Sequence, residues 1–293
     1  SSIDNSNESL QVQVDNRVDS SNVGVYEVRY NVTDSSGNAA QEKVRLVRVV
    51  DTLPPSITIN GDTSVEVEVN DSNGYIDNGA YVTDNQTYTD ASGNTVNKVE
   101  LETFSNVDVT KIDTYSVVYK ATDNEGNSSE TRRIVKVVDT LKPVITLIGN
   151  SIVEHEVNTE YTDLEATCSD NSGLSVPIEI SSSVNVLEVG TYEVRYNATD
   201  ASGNKADEKI RQVKVVDTTK PVITLVGQQD MWHEINTTFE DPGAVAEDNS
   251  NLHVSVVASG NIDETTLGTY YLYYNATDAQ NNNAVQVVRT VTV

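Results

Sequence analysis

Disulfide cross-linking is absent from this chain, because Cys168 is its only cysteine. A chain that folds without disulfides in an oxidising environment needs another means of stiffening. Basic residues are scarce: 19 Lys and Arg stand against 45 Asp and Glu, a formal net charge of −26. Nucleic acid is excluded as a partner, since phosphates demand a basic face. An anionic membrane surface is excluded for the same reason. No apolar run reaches the ~20 residues that cross a bilayer as a helix, so no membrane insertion is expected. Ser1-Ser2-Ile3-Asp4 has neither the basic region nor the apolar core of a secretory leader, which points to a removed leader or an internal fragment.

Catalytic equipment is equally thin. The three histidines are His155, His233 and His253. His155-Glu156 and His233-Glu234 have no second His at helical spacing, so a zinc motif is not expected. They read as exposed edge residues, each beside a surface Glu. No phosphate-binding Gly-rich loop, no Gly-x-Ser-x-Gly and no Cys–His pair is present. The chain is not expected to be an enzyme. Cys168 has no counterpart in the other repeats and reads as a small strand residue facing the core.

What is present is a β composition. There are 14 Tyr but 2 Phe, 1 Trp and 1 Met among 293 residues, and Val, Thr, Asn, Asp and Ser dominate. It is arranged as a repeat. Residues 24–61, 113–149, 190–227 and 268–293 are variants of one passage, whose third copy reads GTYEVRYNATDASGNKADEKIRQVKVVDTTKPVITLVG. Its leading tyrosines, Tyr26, Tyr115, Tyr192 and Tyr270, are spaced by 89, 77 and 78 residues, which is the size of a small domain. Tyr192 to Ala198 alternates polar and apolar residues, as a half-buried strand does. A turn follows at Ala201-Ser202-Gly203-Asn204, then a second alternating strand from Glu208 to Val216. Val-Val-Asp-Thr then leads to a Pro at the start of a new strand, where its missing N–H costs least. Strand-rich units of this length predict an all-β chain of immunoglobulin-like sandwiches placed end to end, with Gly-Thr-Tyr as a tyrosine corner.

The succession Asp-Thr-x-x-Pro-x-Ile-Thr-Leu-x-Gly, Asp-x-Gly-Ala-x-Ala-x-Asp-Asn and Gly-Thr-Tyr-x-Val-x-Tyr-x-Ala-Thr-Asp-x-x-Gly-Asn covers nearly the whole chain. It resembles the bacterial Ig-like repeats of the insecticidal-crystal-toxin and hyalin type. That resemblance implies an accessory or spacer role in extracellular adhesins, toxins and secreted enzymes. Expected domains are 1–50, 51–138, 139–216 and 217–293. The first is incomplete: Asp4 lies 22 residues before Tyr26, as Asp170 does before Tyr192 and Asp248 before Tyr270, so two strands of that unit are missing. The second carries extra residues around Gln86 to Asn94, where Asp90-Ala91-Ser92-Gly93-Asn94 reads as a turn.

In an Ig-like unit with strands A to G, the start of A, the B–C loop and the F–G loop share one pole. Those places hold Asp51, Asp84, Asn85, Asp123 and Asn127 in the second unit. They hold Asp139, Asp170, Asn171, Asp200 and Asn204 in the third, and Asp217, Asp248, Asn249, Asp278 and Asn282 in the fourth. The first unit keeps Asp4 and Asp34 with Asn38 but no linker Asp. Two readings stand side by side. Each Asp serves as a turn cap through its side chain, or the three converging carboxylates, mutually repulsive unless neutralised, hold a hard cation through oxygen alone, and calcium fits. Calcium would then rigidify the junctions between domains.

The expected role is a non-catalytic stalk of a surface adhesin-like protein, outside the cell or at its surface. Its partners would be neighbouring Ig-like domains of a longer chain, with a glycan or cell-surface ligand bound through further domains. Two alternatives remain: glycan-binding accessory domains of a secreted enzyme, with Tyr271 and Tyr273 as an exposed aromatic patch, or a strand-exchanging subunit of an extracellular filament. Sequons at Asn31, Asn197 and Asn275 lie at equivalent outward positions, and the strand pattern alone accounts for polar residues there.

Overall fold

The computed structural model describes residues 9–89, 91–96 and 98–293. Asp4 and Asn5, and Asp90 of the expected turn, lie outside the described residues. The chain divides into two compact units, Ser1–Asp139 and Thr140–Val293, and every described element is a strand or a turn.

Within the second unit, one four-stranded sheet runs in the order Ile152–Glu156, Lys209–Val216, Gly190–Ala198, Ile178–Ser182. The first pairing is parallel and the others antiparallel. A two-stranded sheet, Val144–Leu147 with Ala166–Ser169, covers it. The interior holds Ile145 from the small sheet and Val194, Tyr196, Val213 and Val215 from the large one. Alternation does the sorting: in Gly190–Ala198, Val194, Tyr196 and Ala198 point inward and the residues between them outward. Cys168 packs against this core, as its strand parity predicts. The same plan recurs with Asp230–Trp232, Val287–Thr292, Thr269–Ala276 and Val256–Ser259 under Val222–Leu225 and Ala244–Glu247.

Within the first unit, the plan recurs with Ser64–Glu68, Ser128–Val138, Asp113–Thr122 and Glu100–Ser105 under Ser56–Ile59 and Ala80–Thr83. The extra residues form a short hairpin, Tyr88–Thr89 with Thr95–Val96. Ahead of that sandwich stands a three-stranded sheet, Gln13–Asn16, Gly24–Asn31 and Lys43–Val49. No covering strand pair is present over it among the described residues.

The tyrosine corner occurs in all four repeats. The hydroxyls of Tyr26, Tyr115, Tyr192 and Tyr270 donate to the carbonyls of Asn22, Lys111, Glu188 and Thr266, four residues upstream in each case. A Tyr there closes the turn into strand F without any cross-link.

Each complete sandwich also encloses an arginine. Arg133, Arg211 and Arg289 are 1 %, 1 % and 0 % exposed. Burying a guanidinium costs several kcal/mol unless its charge is paired and its donors are satisfied. Arg211 meets both demands. It forms an ion pair with Asp163, and its Nε donates to the Asn150 carbonyl at 3.1 Å. Its remaining donors reach the carbonyls of Ile148 and Glu165. Asp163 in turn accepts from the hydroxyls of Tyr196 and of Tyr161, the latter at 2.9 Å. Arg133 repeats the set with Asp77, Tyr119 and Tyr75. Arg289 repeats it with Asp241 and Tyr274, while Phe239 stands where the others have a second Tyr. Burial pushes the Asp163 carboxyl up, but hydrogen bonds from Tyr196, Arg211 and Tyr161 more than offset it, so its pKa lies below the usual range. The network therefore stabilises at neutral pH and weakens as the pH falls through that lowered value.

Replacing Arg211 by Met leaves Asp163 buried without its cation. It should destabilise that sandwich by about 3–5 kcal/mol, read by chemical denaturation. Replacing Arg211 and Asp163 together by apolar residues should recover much of the loss.

Candidate metal centres

The loops at one pole of each sandwich are built by turn chemistry. In the F–G turn, Asp123, Asp200 and Asp278 each receive two hydrogen bonds from the Asn four residues on. The backbone N–H of Asn127, Asn204 or Asn282 donates to Oδ1 at 2.7, 2.8 and 2.7 Å. The side-chain amide donates to Oδ2 at 2.8, 2.9 and 2.8 Å. Asp34 and Asn38 form the same pair. Gly126 and Gly203 complete their turns at positive φ, and Asn281 does so at φ 71° in the fourth repeat, a conformation Asn tolerates better than most residues. The turn-cap reading is therefore correct for these Asp residues. Asn127 and Asn282 act as braces, since their amides point at the Asp and at the carbonyls of Asp51 and Asp217.

The B–C loops divide each carboxylate between two tasks. Oδ2 of Asp84 accepts from the N–H of Gln86 at 3.2 Å. Oδ2 of Asp170 and of Asp248 accepts from the N–H of Ser172 and Ser250, at 3.0 Å each. The other oxygen, Oδ1, is buried and has no hydrogen-bond partner in Asp84, Asp170 or Asp248. One oxygen caps the turn and the second is left to face the pole.

In the first unit, Asp51, Asp84 and Asp123 converge, with one oxygen from each lying within 4.8 Å of the others. Asp51 spends Oδ1 on the N–H of Leu53 and the side-chain amide of Asn85, both at 3.1 Å. Its Oδ2 is buried without a partner. In the second unit, Asp217, Asp248 and Asp278 converge within the same distance. Asp217 is 5 % exposed, and neither of its oxygens finds a donor. Burial raises its pKa, and so do the charges of Asp248 and Asp278. Asn249 adds a buried side-chain oxygen that likewise has no partner. Asp139 closes the first unit and is buried, whereas Asp170, Asn171, Asp200 and Asn204 lie in the loops of the second.

Buried carboxylates that repel one another and lack donors require neutralisation, by protons or by a cation. The donor set is oxygen only, which suits a hard ion. Carboxylate oxygens that all lie within 4.8 Å of one another are close enough to share one ion that binds oxygen at ~2.3–2.6 Å. The residues present fit calcium on these grounds.

Glu156 departs from the expectation of a free surface Glu. It accepts from the N–H and hydroxyl of Thr218, from both groups of Thr219 and from the side-chain amide of Asn249. Those donors overcome the effect of burial and hold its pKa at about 2. Beside it, the Asn158 amide donates to the Asn249 carbonyl at 2.7 Å. Glu156 thus clamps the segment that carries Asp217. A faint signal lies in the repeat: a Glu recurs at the equivalent position in the second and fourth repeats, Glu68 at the end of Ser64–Glu68 and Glu234 two residues beyond Asp230–Trp232. His155, its neighbour, is half-buried and not the exposed edge residue expected, with its Nε2 3.1 Å from the Thr159 carbonyl and its ring edge-on to Tyr161.

Removing that acceptor strands several donors. Glu156→Ala should lower the stability of residues 217–293 by about 2 kcal/mol at neutral pH. Because the pKa of Glu156 is depressed, its contribution should be full above pH 4.5 and fade as the pH falls toward 2. Thermal melts of both proteins across that range would converge at the acid end.

The fold and these poles define tandem immunoglobulin-like sandwiches with acidic, oxygen-lined clusters at one end. The chain belongs to the family of bacterial surface protein Ig-like domains, which matches residues 1–49, 57–137, 145–215 and 223–293. It is an extracellular or cell-surface, adhesin-like repeat region. It is 29% identical over 286 residues to hyalin of Strongylocentrotus purpuratus, covering 92% of this chain and 23% of hyalin. It is 29% identical over 198 residues to the pesticidal crystal protein Cry22Aa of Bacillus thuringiensis, covering 66% and 26%. A serine-rich adhesin for platelets from Staphylococcus aureus is 32% identical over 110 residues, covering 33% of this chain and 8% of the adhesin. The chain spans about a quarter of the length of the first of these relatives. Among solved structures, the protocadherin GammaB4 extracellular domain aligns over 99% of this chain and 60% of its own, at 14% identity and a TM-score of 0.38.

Proposed function

We propose that the chain is a run of four Ig-like domains, 1–50, 51–138, 139–216 and 217–293, serving as a non-catalytic spacer in a larger adhesin-like surface protein. In this reading calcium stiffens the run where one domain meets the next. The observation that supports calcium is the pair of buried, donorless oxygens on Asp217, facing Asp248 and Asp278. Asp51, Asp84 and Asp123, with Asn85 turned toward Asp51, form the counterpart in the first unit. Asn127, Asn204 and Asn282 position the F–G carboxylates. The ion would supply positive charge and bond strength, and the protein residues would supply the fixed loop geometry.

Calcium should raise the melting temperature and narrow the distribution of end-to-end distances, both measured against chelator. Asp217→Asn should remove the calcium increment of residues 217–293. In chelator the same variant should melt higher than the parent by ~2–4 °C, because it deletes a carboxylate whose raised pKa marks a cost of ionisation. The sign follows from that raised value: in chelator, this cost is relieved as the pH falls from neutral toward 3.8. Identical melting and distances with and without calcium would remove the metal from the reading.

One observation favours a second reading, as a glycan-binding accessory region. In the third repeat, the outer sheet face carries a charged network in which Arg195 bridges Glu193 and Glu208. The fourth repeat places Tyr271, Tyr273 and Gln286 at those positions, and both tyrosines are exposed. The result is a neutral aromatic face bordered by Asn275, which accepts from Gln286. Retention on an insoluble polysaccharide column, lost in the Tyr271→Ala, Tyr273→Ala double variant, would support this reading. Passage through every such column would leave the spacer alone.

A further inference from the structure

The outward face of the large sheet in the third repeat is charged. Glu154 stands opposite Lys214, and Glu179 opposite Asn197. Arg195 forms ion pairs with Glu193 and Glu208. In the fourth repeat, 78 residues on, all six of these charges are gone. Trp232 and Thr292 stand in place of Glu154 and Lys214, still opposite one another. Tyr271 and Tyr273 replace Glu193 and Arg195, and Val257 and Gln286 replace Glu179 and Glu208. One acid enters at the margin, Asp230 on the edge strand, where the third repeat has Ile152. The second repeat keeps charge on this face, with Glu66 3.6 Å from Lys136 and Glu102 opposite Lys120. The fourth sandwich retains its buried Arg289–Asp241 pair and its tyrosine corner, so the replacement alters the surface and not the fold.

We propose that Trp232 is the third stacking residue of a ligand face that also includes Tyr271 and Tyr273, and that this face takes an uncharged polysaccharide. The proposal rests on the glycan-binding reading of the chain and names the class of glycan. Trp232 is 86 % exposed, the most exposed of the three rings. It pairs with Thr292, which pairs in turn with Thr269, so it projects from the same face as Tyr271 and one row away. With strands ~4.8 Å apart and residues ~3.4 Å apart along a strand, the three aromatics cover about 10 Å across the strands and about 14 Å along them. That is an area over which several sugar rings can lie flat.

Charge selects the occupant. A charged side chain covered by a neutral ligand is desolvated without a partner, which is costly, and here every charge but the marginal Asp230 has been removed. No Lys or Arg stands at these outward positions to receive a carboxylate or sulfate group. The net charge of −26 repels an anionic glycan before contact. The residues between the rings are Thr290, Thr292, Asn275 and Gln286, which offer hydroxyls and amides to sugar hydroxyls. Aromatic faces pack against the C–H faces of pyranose rings in the manner of other apolar ligands. The core of a protein–protein interface is more apolar than this: the aliphatic residues on the face are Val257 and Val288.

The test uses the full chain, whose only tryptophan is Trp232, so its emission reports on this face alone. Hydroxyethyl cellulose, β-mannan and chitin hexaose are the uncharged probes, and polygalacturonate and heparin the charged ones. At least one uncharged probe should shift the emission to the blue and shield it from acrylamide, and neither charged probe should. In gels cast with the bound glycan, Trp232→Ala should weaken retardation about tenfold. Restoring the third repeat's residues, as Trp232→Glu, Tyr271→Glu, Tyr273→Arg and Gln286→Glu together, should abolish binding and leave melting unchanged, because the third sandwich folds with those residues. The reverse graft, Glu154→Trp, Glu193→Tyr and Arg195→Tyr, should add a second binding site to the chain. Binding that survives Trp232→Ala but is lost in the Tyr271→Ala, Tyr273→Ala variant would overturn this proposal and leave the glycan-binding reading standing. A preference for the charged probes would do the same. No response to any probe would overturn both. Self-association lost in the restored variant and not competed by glycan would show that the face serves a second copy of the chain, and would overturn both as well.

Discussion

A single buried guanidinium in each complete sandwich sets the terms for the rest of the fold. A domain of about 80 residues buries little surface, and this chain has no intramolecular disulfide and few Phe, Trp or Met to compensate. Arg211 fills the interior with a long side chain whose donors tie the loop carbonyls of Ile148, Asn150 and Glu165 to one point. Its partner Asp163 is held by two tyrosine hydroxyls. The preference for Tyr over Phe follows from this. At Tyr119, Tyr196 and Tyr274 the ring packs the core while the hydroxyl serves the acid. The arrangement also fixes which strand pair may cover the sheet, because any other would leave a buried charge without its partner.

The polar ends obey a second division of labour. Cap and ligand are competing descriptions of an Asp only while its side chain is treated as one group. Asp248 uses Oδ2 to cap its own turn and turns Oδ1 inward. Turn geometry therefore orients the free oxygen, and no further residues are needed to aim it. Asp278 is held at both oxygens by Asn282, which in turn grips the Asp217 carbonyl. Glu156, reaching from the preceding strand, holds Thr218 and Thr219 on the far side. The segments that carry the carboxylates are thus held against their mutual repulsion by hydrogen bonds from outside the cluster.

Much of this was legible in one dimension because tandem repetition supplies its own comparison. The period-two pattern in Tyr192 to Ala198 determined the strand and its inward face. The leading Gly-Thr-Tyr determined the corner that Tyr192 closes on the Glu188 carbonyl. The 22-residue offsets determined that Asp170 and Asp248 begin equivalent loops, and the strand order of the fold places Asp217, Asp248 and Asp278 at one pole. The Arg–Asp–Tyr network was less visible. Arg211 alternates correctly for an inward position, yet a charged residue in an otherwise amphipathic strand reads as solvent-facing, and its partner lies 48 residues away.

By itself the sequence determined the strands, the turns and which residues recur at the poles, because these depend on local backbone preference and on alternation. Tertiary structure alone decided how charge is distributed among individual oxygens and side chains. It left both Asp217 oxygens without donors and held Glu156 ionised against Thr218 and Thr219. The reason is physical: a hydrogen bond or a desolvated charge depends on distances of a few tenths of an ångström between segments remote in sequence, and no spacing rule along one chain specifies those.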